Sequence, residues 1–208
     1  DVVAQTGRAE VLKAQGKLEQ ALEAYDLVRS QHPENVVALR GRASLLVLMR
    51  RWDDALADLD SAEDGRDIDW FNQHLRAVIY LRTNRRAEAR LILSNGVENC
   101  PHTESRDYFR ATLAQAFAAE GELVTARELA EQITYSRFDR SKNVLLTHIL
   151  EQEKKLDLAR EVYERLPEPA NDDDVEVFSE LQRRVTGLEP AKSNEWLQEH
   201  IFRLVLTA

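Results

Sequence analysis

Histidine and the acidic residues are the side chains of this sequence that could bind a metal ion or act in acid–base catalysis. Their spacing is the first indication of whether the chain has an active site. The five histidines show no spacing typical of metal ligands, and the 37 acidic residues form pairs at the rate that chance gives on helices. The sequence contains no glycine-rich phosphate loop, no His-Glu-x-x-His motif and no serine in a nucleophile elbow. It therefore predicts a protein that is not an enzyme and that has no metal site and no cofactor.

Composition and charge narrow the classes of partner. The chain of 208 residues has a formal net charge of −9, which argues against nucleic-acid binding because phosphate neutralisation needs a basic surface. No stretch approaches the roughly 18 apolar residues of a membrane span, so we expect no direct membrane insertion. The single cysteine, Cys100, forms no internal disulfide, which leaves a cytoplasmic and a periplasmic location open. Because the chain starts at Asp1 with no visible signal peptide, we expect a processed chain or an excised fragment.

Two rows of small residues recur along most of the chain. The first row has spacings of 34, 34, 37 and 33 residues and consists of Ala21, Ala55, Ala89, Ala126 and Ala159. The second row precedes it by twelve residues each time and consists of Ala9, Ala43, Ala77, Ala114 and Thr147. Such a double register is typical of tandem helix–turn–helix units, in which small residues lie where two helix backbones come closest. Larger apolar residues follow at helical spacing without a strand pattern, so the sequence predicts an all-α fold.

This pattern resembles the tetratricopeptide repeat (TPR) family, whose unit of about 34 residues has small residues at two fixed positions and a glycine in the turn between its helices. Gly16 and Gly121 hold that glycine position here, whereas Arg50, Asn84 and Lys154 replace it in the other units. The resemblance implies a right-handed α-solenoid with five repeats, followed by C-terminal capping or interface helices over residues 169–208. The expected repeats span residues 2–35, 36–69, 70–104, 105–139 and 140–168.

The resemblance also implies a binding surface, since the first helix of each repeat, the A helix, lines the concave groove of such solenoids. In the middle of this groove we expect Arg40, Phe71, His74, Val78, Tyr108 and Gln115. Val3 and Val37 hold the position of Phe71 in the first two repeats, and the fourth and fifth repeats add Ala111, Ala118, Ser141, Val144, His148 and Glu151. Aromatic residues and arginine often dominate interface energetics. The alternative is that Phe71 and Tyr108 pack between neighbouring A helices.

A second candidate surface is basic and lies at the turns of the second and third repeats. Stacked repeats would bring five arginines to one edge: Arg50, Arg51, Arg82, Arg85 and Arg86. Such a patch suits an acidic protein or a polyanionic polymer. The alternative is a solvated edge, in which these arginines pair with the nearby acids Asp53, Asp54 and Glu88.

The C-terminal segment has more apolar residues than a solvent-facing cap needs. We expect Ser193 to cap a last helix, and the helix then carries apolar residues on more than one side, among them Trp196, Ile201, Phe202 and Val205. Exposed apolar surface of this kind marks an interface, which predicts self-association or a partner there. The competing expectation is a helix that folds back and closes the solenoid of a monomer.

These observations favour a protein–protein interaction scaffold or adaptor that binds a peptide or a partner domain in its concave groove. The alternative is a structural or assembly segment of a larger bacterial export or polysaccharide-secretion machine. A third interpretation is a regulatory domain attached to an enzyme.

Overall fold

The computed structural model describes residues 1–63, 68–169, 171–188 and 192–207, and the side chains of Asp173, Phe202 and residues 205–207 are not part of this description. In these residues the chain is helical and contains no strand. It divides into two compact units, Asp1–Ile92 and Leu93–Ala208. The polar turn that the sequence predicts at residues 64–67 lies outside the described residues.

The first unit begins with two helix pairs. They consist of α1 (Val2–Ala14) with α2 (Leu18–Gln31) and α3 (Val36–Leu48) with α4 (Trp52–Ala62). The helix α5 (Trp70–Arg82) follows, and α6 (Arg86–Asn99) starts in this unit and ends in the next. Within each pair the helices pack along each other, while α3 also packs on α1 and α2, and α5 packs on α3 and α4. Each A helix therefore lies beside the A helix of the preceding pair.

The second unit continues the same arrangement. It contains α7 (Thr103–Ala119), α8 (Leu123–Glu131), a 3₁₀ turn (Ser136–Phe138), α9 (Asp139–Gln152), α10 (Leu156–Tyr163), α11 (Asp172–Thr186) and α12 (Asn194–Thr207). The helices α7 and α8 form one pair and α9 and α10 the next. The helix α11 packs on α10 and α9 in the way that α3 packs on α2 and α1, so it takes the place of a further A helix.

The small residues that recur in the sequence lie at the contacts between paired helices. Every member of both rows is fully buried: Ala9, Ala21, Ala43, Ala55, Ala77, Ala89, Ala114, Ala126, Thr147 and Ala159. A larger side chain at these positions would force the helices apart or into strained rotamers. This agreement supports the helix–turn–helix interpretation of the two rows.

The turn within each predicted repeat has one backbone geometry, whatever residue occupies it. The residue at the glycine position has a positive φ in all five turns, from 59° at Arg50 to 82° at Gly121. The backbone N–H of the next residue reaches back to the end of the A helix, as from Lys17 to the Leu12 carbonyl at 3.0 Å and from Lys155 to the Leu150 carbonyl at 2.9 Å. This Schellman arrangement satisfies helix-end carbonyls and requires a left-handed residue, which explains the glycine preference.

Contacts of single residues shape the last turns of α6 and α8. Gly96 lies inside α6, which continues to Asn99, at a point where the ring of Phe109 occupies the space that a Cβ would need. The helix α8 ends at Glu131. There the buried carboxylate of Asp107 accepts hydrogen bonds from the backbone N–H groups of Thr134 and Tyr135, at 2.9 and 2.8 Å, and so holds the chain outside the helix.

Candidate functional site

The predicted groove surface of the first unit carries a row of exposed apolar side chains. Val3, Val37 and Phe71 are each the second residue of their helices α1, α3 and α5, and they are 78%, 64% and 45% exposed. Because α3 packs beside both α1 and α5, the three side chains occupy equivalent places on successive A helices. Apolar groups repeated in this way offer a contact surface at regular intervals.

Arg40 adds a charged group to this surface. It lies on α3 one turn after Val37, and its guanidinium pairs with the carboxylate of Asp69, which also accepts the backbone N–H of Asn72 at 3.2 Å as the N-cap of α5. The Arg40 side chain stays 39% exposed. The pair therefore fixes the start of α5 and keeps a partly solvated guanidinium beside the apolar row.

His74 and Val78 were predicted as exposed groove residues, and this prediction is wrong for both. Both lie on α5, where His74 is only 6% exposed and Val78 only 1% exposed. Burial penalises the charged imidazolium and lowers the pKa of His74 to about 4, so this histidine is neutral near pH 7. The position of a residue in the repeat indicates which face of the helix it occupies. It does not indicate whether neighbouring residues cover that face, as they do for both side chains here.

Tyr108 and Gln115 belong to the second unit and are half-buried on α7. The Tyr108 ring packs edge-on against Phe138, with 4.6 Å between ring centroids and 87° between planes, which agrees with the packing alternative for this tyrosine. Both polar atoms of the Gln115 amide are buried and have no hydrogen-bond partner among the described residues. Neither side chain offers an open hot spot.

The helix α12 covers the A helices of the second unit. It packs on α7, α9 and α11. Leu197 and Ile201 of α12 share one buried apolar cluster with Ala118 of α7 and with Val144 and Ile149 of α9. Ala118 and Val144 are predicted groove positions, and they are 4% and 0% exposed. The surface that the sequence assigns to a partner is therefore occupied here by the last helix of the chain itself.

This packing buries one residue of the interface predicted on α12. Ile201 is 1% exposed and lies inside the second unit, so it presents no surface to another chain. Trp196 is half-buried and stacks on His200 with 3.8 Å between ring centroids. The side chains of Phe202 and Val205 lie outside the described residues. Ser193 caps α12 as predicted, accepting the backbone N–H of Trp196 at 3.1 Å.

A buried polar network holds the start of α12. Arg184 of α11 donates to the Lys192 carbonyl at 2.9 Å and to the side-chain oxygen of Asn194, the first residue of α12. The same guanidinium donates to Glu180 at 2.9 Å and lies 3.6 Å from a carboxylate oxygen of Glu151. With its side chain only 5% exposed, Arg184 joins the predicted groove position Glu151 to the entry of the last helix.

His148 lies next to this network on α9. Its Nδ1 is 3.9 Å from the Glu151 carboxylate, and its Nε2 is 2.9 Å from the Gln152 amide nitrogen. Burial, and then the nearby charge of Arg184, lower the pKa of His148 to about 4. The Nδ1 of His148 and one oxygen each of Glu151 and Glu180 are buried without a hydrogen-bond partner among the described residues.

Sequence reasoning placed His148 and Glu151 on the groove surface but missed Arg184, Glu180 and Asn194. An arginine near the end of an amphipathic helix ordinarily indicates a solvated face. Only the path of α12, which leaves its hairpin position and returns to α7, brings Arg184 inside the unit. Nothing in the sequence around the predicted helix start indicates that Lys192 and Asn194 bind Arg184.

At the predicted basic edge, the ion-pair alternative is supported for two arginines. Arg51 contacts Asp54 at 2.7 Å, and Arg85 pairs with Glu88 while its guanidinium lies 3.7 Å from the centroid of the Tyr80 ring. Arg50, Arg82 and Arg86 also have interactions with neighbouring groups. These arginines are therefore engaged within the chain and do not form a patch of free cations.

In the part of the chain that the structure describes, no group of three or more His, Cys, Asp or Glu side chains is arranged to hold a metal ion. None of the helices in the described ranges combines the length and the apolarity that a membrane crossing requires.

The fold matches solved TPR proteins. One is a tetratricopeptide repeat protein from Parabacteroides merdae, with a TM-score of 0.65 and 16% identity over 99% of this chain and 84% of that chain. Another is pilF of Pseudomonas aeruginosa, with a TM-score of 0.67 and 14% identity over 98% of this chain and 88% of that chain. No family model and no curated protein matches the sequence. The chain therefore has the all-helical TPR solenoid fold, as its sequence resemblance implied.

Proposed function

We propose that this chain is a protein–protein interaction scaffold that binds a partner protein or peptide through the A-helix surface of its first unit. The observation that carries the proposal is the exposed row of Val3, Val37 and Phe71 on successive A helices. Regular apolar contacts of this kind suit an extended or helical peptide that crosses the helices. The proposal includes five repeats with the predicted boundaries and requires no covalent chemistry.

Arg40 would give this surface its polarity. Its side chain is 39% exposed beside Val37, and its guanidinium is held in place by Asp69. An arginine fixed by an internal carboxylate loses little conformational freedom when it binds, so it contributes efficiently to an interface. We therefore expect the partner to place a hydrogen-bond acceptor next to its apolar contacts.

The proposal is tested by affinity capture from a lysate of the source organism followed by mass spectrometry. The unaltered chain is compared with a Val37→Asp, Phe71→Asp double variant and with a Leu27→Asp control, because Leu27 is 48% exposed on a B helix. A partner that uses the proposed surface is retained by the control and lost by the double variant. If the folded double variant retains every partner of the unaltered chain, the proposed surface is wrong.

A further inference from the structure

The second unit has a helix-shaped occupant on the surface that its A helices form. The helix α12 lies on α7, α9 and α11 and buries Leu197 and Ile201 among them, while Trp196 packs at the edge of the same cluster. It does not form the hairpin with α11 that a second helix of a repeat would form, because its contacts extend to the A helix at the start of the unit. Its packing is that of a bound amphipathic helix rather than of a further repeat.

The surface under α12 is not fully matched to this occupant. At the entry of α12, one carboxylate oxygen each of Glu151 and Glu180 and the Nδ1 of His148 are buried without a hydrogen-bond partner among the described residues. The Glu151 oxygen lies 3.6 Å from a guanidinium nitrogen of Arg184 and the Glu180 oxygen 3.6 Å from one of Arg183, distances that suit an ion pair but are too long for a hydrogen bond. Buried carboxylate oxygens that accept no hydrogen bond cost free energy, which the apolar contacts of α12 must offset. A helix that brings a donor to these carboxylates would therefore bind the same surface more favourably than α12 does.

The way in which α12 is attached allows it to leave its surface and be replaced by another helix. The preceding helix α11 ends at Thr186 and is capped by Gly187, which has a φ of 78°, and the cap hydrogen bonds close the helix without any contribution from α12. The anchor Arg184 keeps Glu180, at 2.9 Å, when Asn194 and Lys192 leave. The departure of α12 thus leaves Arg184 paired and exposes mainly an apolar surface.

We propose that the inner face of α7, α9 and α11 is a binding site for an amphipathic helix of a partner protein, and that α12 is the intramolecular occupant which that helix replaces. The partner helix repeats the apolar spacing of Trp196, Leu197 and Ile201 and carries a hydrogen-bond donor in its first turn. This site lies in the second unit and does not depend on the surface proposed for the first unit.

The test uses the full chain and a fluorescent peptide with the sequence of residues 192–207. In the Leu197→Asp variant the buried carboxylate expels α12, and the peptide binds at least about tenfold more tightly than to the unaltered chain, where the tethered helix competes at high effective concentration. A Val124→Asp variant is the control, because Val124 is 56% exposed on α8, and it behaves like the unaltered chain. A peptide that itself carries Leu197→Asp binds neither. A Leu197→Asp variant that keeps its helical circular dichroism and fails to bind the peptide overturns the proposal.

Hydrogen exchange on the unaltered chain gives a second test that needs no variant. We expect the α12 amides to exchange at least about tenfold faster than the slowest amides of α9, through an opening that leaves the rest of the unit folded. If both helices exchange at one common rate, α12 does not open separately and the proposal is wrong. Concentration-dependent dimers that Leu197→Asp abolishes would assign the face to α12 of a second copy and overturn the assignment to a partner protein.

Discussion

Gly7 and Gly121 have the same open surroundings and opposite backbone conformations. Neither has an atom within 4 Å of an added Cβ, but Gly7 lies inside α1 whereas Gly121 has a φ of 82° in a turn. We expect Gly7→Ala to stabilise the chain by up to about 1 kcal/mol through helix propensity, and Gly121→Ala to destabilise it by about 1 kcal/mol through left-handed strain. Urea unfolding of the two variants measures the difference. Equal shifts would show that the turn tolerates any residue.

At the scale of single residues, the sequence predicted burial better than exposure. The alanine rows were correct because only one arrangement of paired helices explains a small residue at the same place in every unit. The spacing does not determine which groove positions are exposed, because a residue such as Val78 can face a ligand or a neighbouring helix with the same spacing. The structure buries Val78 and leaves Phe71 exposed, although both belong to one helix face in the repeat pattern.

At the scale of helices, Arg42 is the main polar link in the first unit. Its guanidinium on α3 donates to Asp58 of α4 at 2.6 Å and to Asp26 of α2 at 2.7 Å, and the Asp58 side chain is 1% exposed. Arg42→Met leaves Asp58 buried without its main partner, so we expect a loss of about 3–5 kcal/mol in the free energy of unfolding.

Adding Asp58→Leu to Arg42→Met should recover most of this loss, because the buried charge is then removed as well. The matched control is Arg165→Met. Arg165 pairs with Glu161 at the surface, where both side chains are more than half exposed, so its loss should cost less than about 1 kcal/mol. Urea unfolding monitored by circular dichroism compares the three variants. A double variant as unstable as Arg42→Met alone would contradict the buried-charge explanation.

Contact between α6 and α7 in the second unit depends on the missing side chain of Gly96. A Cβ at this position would collide with the Phe109 ring, which is fully buried. Gly96→Ala should therefore destabilise the chain by about 1–3 kcal/mol, although alanine is the better helix former. Phe109→Leu in the same chain should recover part of the loss, which thermal unfolding can measure. A Gly96→Ala variant of unchanged or raised melting temperature would show that the ring moves aside.

The path of α12 was outside the reach of sequence reasoning. Its apolar residues predicted a helix with a buried side, and this much is correct for Leu197 and Ile201. The pattern of one helix does not specify which other helices cover that side, so an external interface and a folded-back helix were equally compatible with it. Packing on α7, which is distant in sequence, determines that the helix folds back. No pattern within residues 192–207 indicates that α7 is its partner.

At the scale of the whole molecule, each of the two units buries a histidine. His74 and His148 both have a pKa lowered to about 4 in the folded chain, against about 6.5 when unfolded. The unfolded chain therefore takes up protons between pH 6.5 and pH 4 that the folded chain does not. The contribution of each histidine is fully present above pH 6.5 and is lost as the pH falls to 4, by up to about 3 kcal/mol.

Urea unfolding at pH 7 and at pH 4.5 measures this dependence. In a His74→Gln, His148→Gln double variant we expect the difference between the two pH values to be smaller by several kilocalories per mole than in the unaltered chain, because glutamine does not titrate. His32→Gln serves as the control, since His32 is exposed, and it should leave the difference unchanged. A double variant with the full pH dependence would assign the acid sensitivity to carboxylates.

The return of α12 to α7 changes the order in which the second unit can form. In an open stack of repeats every contact is local in sequence, so the ends can fray and folding can start anywhere. Here α12 packs on α7, the first complete helix of its unit, so the unit is closed by contacts between parts of the chain that are distant in sequence. Forming contacts between distant parts of the chain slows folding, because the segment from α7 to α12 must be synthesised and ordered before these contacts can form. During synthesis, α7 and α9 therefore expose an apolar face until α12 emerges from the ribosome, and this interval is when a chaperone has most to bind.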